Sequence, residues 1–263
     1  YKYYNDNNFV SSYRISKFVV DWMRERGDMR LPKLAEMMIK LDGKNADPTD
    51  LANYKGVIPN PGATGDNNNT DMEDGSQSRL KSKWYLEPVG PSAMNIGYPE
   101  QEFILAEAAL RGWTEDDPET HYLNGIRAAH EFLGVSSADT RAYLGHEKVQ
   151  FKGSDTEKLG KIITEKYLNF FMQGGNEAYF ELRRTGYPDF SAYLTHNTDQ
   201  IYNDGYLPLR YRYPQSEIDN NNAQVSEAIK RLDKGDDRNS RMWLLQGSDP
   251  LFNPAPFPFR YKN

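Results

Sequence analysis

The stretch that most constrains the fold is Thr164–Pro188, TEKYLNFFMQGGNEAYFELRRTGYP. Ile163, Tyr167, Phe170 and Phe171 fall at i, i+4, i+7 and i+8, which predicts a helix with one apolar side. Upstream, Ser154-x-x-Glu157 reads as a capping box that satisfies backbone N–H groups of the first turn. Gly174-Gly175 ends this helix, because glycine takes positive φ without a Cβ clash. Asn176 is placed to cap a second helix with Ala178, Tyr179 and Leu182 on its buried side. Arg183 and Arg184 occupy its last turn, where cations favour the helix dipole, and Gly186 and Pro188 stop it. The stretch is a helical hairpin, and the chain must be built around it.

The remaining helices follow the same logic. Ser12–Gly27 carries Ile15, Phe18, Val19, Trp22 and Met23 at helical spacing, which makes Trp22 a core residue. Asp28 and Arg30 read as a local ion pair fixing the next loop. Between Pro99 and Gly134, Phe103, Ala106, Glu107 and Leu110 mark one helix, which ends at Gly112. Tyr122, Ile126, Ala129 and Leu133 mark a second helix, started by Asp117 as N-cap and Pro118 at N1. Ala106, Ala109, Gly125, Ala128 and Ala129 are small enough for close helix approach. Two antiparallel helices within roughly 34 residues match the size of a tetratricopeptide (TPR) unit. After a polar bridge at 195–204, Leu207–Glu217 alternates arginine with aromatic and aliphatic residues, which suits a short extended segment.

Residues 41–99 lack helical period and are rich in Pro, Gly, Asp and Asn, so they form a long loop-rich insertion. Tyr54, Trp84 and Tyr85 lie there outside any apolar stripe. With Asn67, Asn68 and Asn69 they are the candidate ligand-binding residues, offering rings to stack on and amides to bind hydroxyls. Asp66, Asp71 and Asp74 are weak calcium candidates. They do not make an EF-hand, since Asp71 stands where glycine is required and Gln77 replaces the bidentate glutamate.

A net charge of −6 argues against a nucleic-acid partner. The chain has no cysteine, which excludes disulfides, thiolate catalysis and Cys-ligated zinc. No apolar run approaches membrane-spanning length. The four histidines, His121, His130, His146 and His196, form no H-E-x-x-H. His121 and His130 sit at helical positions whose default is the surface. G-x-S-x-G, G-x-G-x-x-G and Walker A are absent. Glu177 and Glu181 lie one turn apart, with Arg184 placed to neutralise Glu181. They read as a salt-bridged cluster rather than an acid/base pair. No cofactor other than calcium is suggested, and the chain does not read as an enzyme.

Lys166–Pro188, with its EAYFELRRTGYP, resembles the SusD/RagB family of nutrient-binding outer-membrane lipoproteins. Five further segments agree in the same order. Asp28-Met29-Arg30-Leu31 resembles the family's D-P-R-L, with Met29 in place of proline. Tyr54-Lys55-Gly56 resembles its Y-x-G. FILAEAALRGW with YLNGIRAAHEFLGV resembles its TPR-like pair. Leu207–Glu217 resembles I-P-R-R-L-x-Y-P-x-S-E. Towards the end, Gly235-Asp236-Asp237 and Met242-Trp243 resemble its GGD and WW, with Leu244 replacing the second tryptophan.

The resemblance implies a mainly α fold of TPR-like hairpins with long irregular loop insertions. It implies one SusD-like domain over 1–263, with 41–99 inserted in it. Because family members are about twice as long, it also implies that this is the C-terminal half of a longer chain. The implied function is surface capture of oligosaccharide or peptide and delivery to a SusC-like TonB-dependent transporter. The implied location is the outer membrane, through an N-terminal lipid anchor lying outside this chain. A glycan-active hydrolase on a helical scaffold is the alternative that the residues leave open.

Overall fold

Several helix starts fall where the capping chemistry puts them, whereas the helix that begins at Asp155 ends at Asn169, short of the Gly174-Gly175 pair expected to close it. The computed structural model describes residues 14–39, 41, 46–57, 75–84, 87, 92–190, 193 and 208–240. Among these are nine α-helices: α1 (Lys17–Glu25), α2 (Leu31–Leu34), α3 (Tyr98–Leu110), α4 (Pro118–Phe132), α5 (Ser137–Gly145), α6 (Asp155–Asn169), α7 (Glu177–Thr185), α8 (Gln215–Asn220) and α9 (Asn222–Ile229). Both bonds of the Ser154/Glu157 capping box are present at the start of α6. The Asp117 side chain accepts from the Thr120 N–H at the start of α4, with Pro118 at N1. Gly186 closes α7 in the left-handed region at φ +77°, a conformation that a Cβ would strain.

Asn176 is an exception to the expected capping. It holds the N-cap position of α7 in a helical conformation, and its side chain makes no capping bond. Its Oδ1 accepts instead from the Tyr211 hydroxyl at 2.9 Å.

Helices α3 and α4 form the most extensive helix pair, and α3 also packs on α6. Of the small residues predicted at this seam, Gly125 is required there. A Cβ on Gly125 would lie 2.6 Å from the Phe103 ring, inside any tolerable contact. The core has two parts. In one, Ile15, Phe18, Val19, Val20 and Met23 of the α1 region meet Leu31, Leu34, Tyr54, Trp84 and Leu168. In the other, Phe103, Tyr122, Ile126, Tyr143, Leu159, Ile162 and Ile163 join α3, α4, α5 and α6.

α6 therefore contributes to both parts, and it is buried on more than the one predicted face. Even Thr164, Glu165 and Lys166 are sequestered. Trp22 is half-buried against the first part, with the Arg26 guanidinium 3.5 Å from its ring centroid.

Within 41–99, the described residues form only short 3₁₀ turns at Leu51–Asn53 and Ser82–Trp84 before α3 begins. The segment is tied to the helices by isolated bridges, Arg14 to Arg79, Ser16 to Val57 and Ala35 to Leu80. No strand occurs among the described residues, and the segment at 208–213 runs irregularly into α8 rather than as a strand.

Candidate functional site

The bridges just described decide the fate of two predicted site residues. They draw the ends of the 41–99 insertion onto the apolar stripe of α1, so Tyr54 and Trp84 are core residues, 1% and 5% exposed. The Tyr54 hydroxyl donates to the Pro48 carbonyl at 2.9 Å. Burial, with the negative charges of Glu36 and Asp47, pushes its pKa up to about 12. Trp84 meets Phe171 edge-on at 5.7 Å. Neither residue lies off the core as its sequence context suggested, because burial here is set by long-range pairing. Tyr85, Asn67, Asn68 and Asn69 lie outside the described residues, as do Asp66, Asp71 and Asp74. Among the described residues no group of three or more His, Asp or Glu is arranged to hold a metal.

Asp28 and Arg30 form the expected local ion pair, and more besides. Arg30 Nε donates to Asp28 at 2.8 Å, and Nη2 reaches Glu165 of α6 at 2.8 Å and the Tyr143 hydroxyl of α5 at 3.2 Å. Tyr143 in turn donates to Glu165. All four side chains are sequestered from solvent. Burial opposes the Arg30 charge, but Asp28 and Glu165 outweigh it and hold its pKa well above the ordinary value. Burial likewise drives the Tyr143 phenol far upward.

His130 joins this group and overturns the expectation of a surface histidine, since it is fully buried. The Thr140 hydroxyl donates to the Ser136 carbonyl at 2.9 Å. It is therefore left to accept from His130 Nδ1–H at 3.2 Å. Nε2 then carries a lone pair 3.6 Å from Asp28. Burial, and next the Arg30 charge, lower the His130 pKa to about 3. Four helical segments thus meet in a sealed polar knot. Its carboxylates and imidazole cannot reach a substrate, so the knot is scaffold rather than acid/base machinery.

A second cluster ties α7 to α3. Arg184 grips Glu107 with two bonds, at 2.6 and 2.7 Å, and also pairs with Glu181 at 2.5 Å. Arg111 donates to the same Glu107 at 2.8 Å. Burial would raise the Glu107 pKa, but these guanidinium groups, Arg184 first, hold it below the usual carboxylate range. The Glu181–Arg184 pair is thus structural, as its spacing indicated. Arg210 plays the same part further on, bonding Asp236 at 2.6 Å, which links the Leu207–Glu217 segment to the Gly235-Asp236-Asp237 turn.

Several aromatic side chains remain open to solvent. Trp113 is 71% exposed, and Tyr211 and Phe180 are also open. Tyr179 of α7 stands beside Tyr211, with ring centroids 5.4 Å apart. Arg183 lies 4.5 Å from the Tyr179 ring centroid and 5.1 Å from that of Phe180. By contrast, the cavity between Arg30, Leu34, Trp84, Leu168 and Phe171 measures about 10 Å³. That is room for about one water, and far too little for a sugar ring.

Sequence reasoning missed His130 and Glu165 as knot residues. A signal existed for His130, which stands four residues beyond Ile126 and eight beyond Tyr122, on the inward stripe. Nothing local marked Glu165.

Antiparallel helix pairs tied together by buried ion pairs, with no strand among the described residues, define a mainly α scaffold of the TPR-like class. The chain belongs to the SusD-like family, whose model, described as starch-binding and associating with the outer membrane, matches residues 2–214. A SusD homologue from Bacteroides fragilis superposes with a TM-score of 0.77 at 32% identity, covering 89% of this chain and 52% of its own. A second from the same species gives 0.73 at 29%, covering 88% and 51%. A chitin-binding protein gives 0.70 at 25%, covering 88% and 49%. The chain spans about half the length of these solved relatives. No curated protein matches it.

Proposed function

We propose that this protein captures oligosaccharide or peptide nutrients at the bacterial cell surface and passes them to a SusC-like TonB-dependent transporter. In this reading the protein is held at the outer membrane by a lipid anchor outside the chain, and residues 1–263 form one SusD-like domain, the C-terminal half of a longer protein. The observation that carries the reading is the family match over residues 2–214. The glycan arm has the further support of a chitin-binding relative. Tyr85 with Asn67, Asn68 and Asn69 would supply the loop contribution to the ligand mouth, since recognition usually sits on loops held by a rigid scaffold.

The test is calorimetric titration of the chain with maltoheptaose, with chitohexaose and with a mixed peptide digest, alongside an assay for new reducing ends. Saturable binding without release of reducing ends is expected. Steady release of reducing ends would favour the hydrolase instead. Absence of binding to all three would defeat the capture reading for this chain.

A further inference from the structure

We propose that Tyr211 is the stacking platform of a saccharide-binding site on the helical scaffold, with Asn176 and Arg212 as its polar flank. The inference rests on the capture reading above and deepens it by placing a contact surface and choosing the glycan.

Tyr211 is 59% exposed, yet its ring is fixed. The hydroxyl donates to Asn176 Oδ1 at 2.9 Å. The ring also leans on Tyr179, with centroids 5.4 Å apart and planes at 59°. The backbone on either side is held as well. Leu209 N–H donates to the Arg238 carbonyl at 2.8 Å, and Tyr213 N–H to Asp236 at 3.1 Å. From α7, the Tyr179 hydroxyl donates to the Pro208 carbonyl at 2.6 Å and Arg183 to the Leu209 carbonyl at 2.8 Å.

An aromatic ring that served only to fill space would be turned inward. This one is held open by bonds at its hydroxyl, its neighbour and its backbone. A ring ordered in advance loses little entropy when a ligand stacks on it.

The surroundings select the ligand. Asn176 spends its carbonyl on Tyr211, which leaves its amide N–H₂ as a donor beside the ring. The Arg212 side chain is 61% exposed, and its pairing to Asp236 is loose at 3.5 Å. An open apolar face with the Asn176 amide at its hydroxyl edge, and the exposed Arg212 next in sequence, suits the C–H face and hydroxyls of a pyranose.

The test titrates the 263-residue chain and its variants with maltoheptaose and with chitohexaose. For whichever saccharide binds, Tyr211→Ala should weaken affinity at least tenfold with an unchanged melting temperature. Tyr211→Phe, which keeps the ring and loses only the bond to Asn176, should stay within about threefold. If the alanine variant melts early, Tyr211→Gln takes its place, with similar reach and no ring. Wild-type affinity in the ringless variant overturns the inference and leaves the capture reading standing. Binding of neither saccharide by the wild type overturns the inference, and the peptide titration then judges the capture reading alone.

Discussion

Acidification should destabilise this protein through one imidazole. His130 is buried among Thr140, the Tyr143 ring, Asp28 and Arg30, with Asp139 also near enough to act on it. Burial first, and then the Arg30 charge, place its pKa at about 3, against 6.5 for the ordinary side chain. The folded protein therefore refuses a proton that the unfolded chain accepts. Stability is full above about pH 6.5 and falls as the pH drops toward about 3. Each pH unit in that window removes about 1.4 kcal/mol, which amounts to about 2 kcal/mol by pH 5 and at most about 5 kcal/mol by pH 3.

The assay is urea denaturation at pH 7, 6 and 5 on wild type and on His130→Phe, which keeps a ring against Tyr143 but has nothing to protonate. At pH 7 the variant should be less stable by about 1 kcal/mol for the lost Thr140 bond. Between pH 7 and pH 5 the wild type should lose about 2 kcal/mol more than the variant. Parallel pH profiles for the two proteins would refute the argument, because the acid sensitivity would then belong to other groups.

Four further substitutions probe the scaffold. Arg30→Met strands Asp28 and Glu165 without their cation and should cost about 3–5 kcal/mol by chemical denaturation. Gly125→Ala drives a methyl into the Phe103 ring and should cost about 1–3 kcal/mol, read as a lower melting temperature. Trp84→Ala should destabilise by about 3–5 kcal/mol, more than Trp22→Ala at its half-buried site. Equal melting temperatures for the two tryptophan variants would contradict that order.

The helical hairpins were legible because their information is local. Periodicity, the Ser154/Glu157 box, Asp117-Pro118 and the terminal glycines each act within one or two turns. The close contact at Gly125 was legible too, since a row of small residues has few other uses. Trp84 and Tyr54 were not. A residue in an aperiodic segment is buried or exposed according to what that segment pairs with, and here the pairing runs through Ser16–Val57 and Ala35–Leu80. The sequence context therefore reversed the order of the tryptophans, with Trp84 buried and Trp22 half-buried. The Asp28–Arg30 pair was visible at a spacing of two, whereas its third member, Glu165, lies 135 residues away. Tyr211 was noticed only as part of an alternating run, since its bond to Asn176 spans two elements.

Because α6 gives Leu168 to one half of the core and Leu159, Ile162 and Ile163 to the other, neither half can melt while the other stays whole. Heating should produce a single transition. The α6 amides should exchange with solvent only through complete unfolding, as the slowest class in the chain. It also follows that no cut through this helix yields two fragments that fold independently, since each would leave half of α6 without the neighbours that bury it.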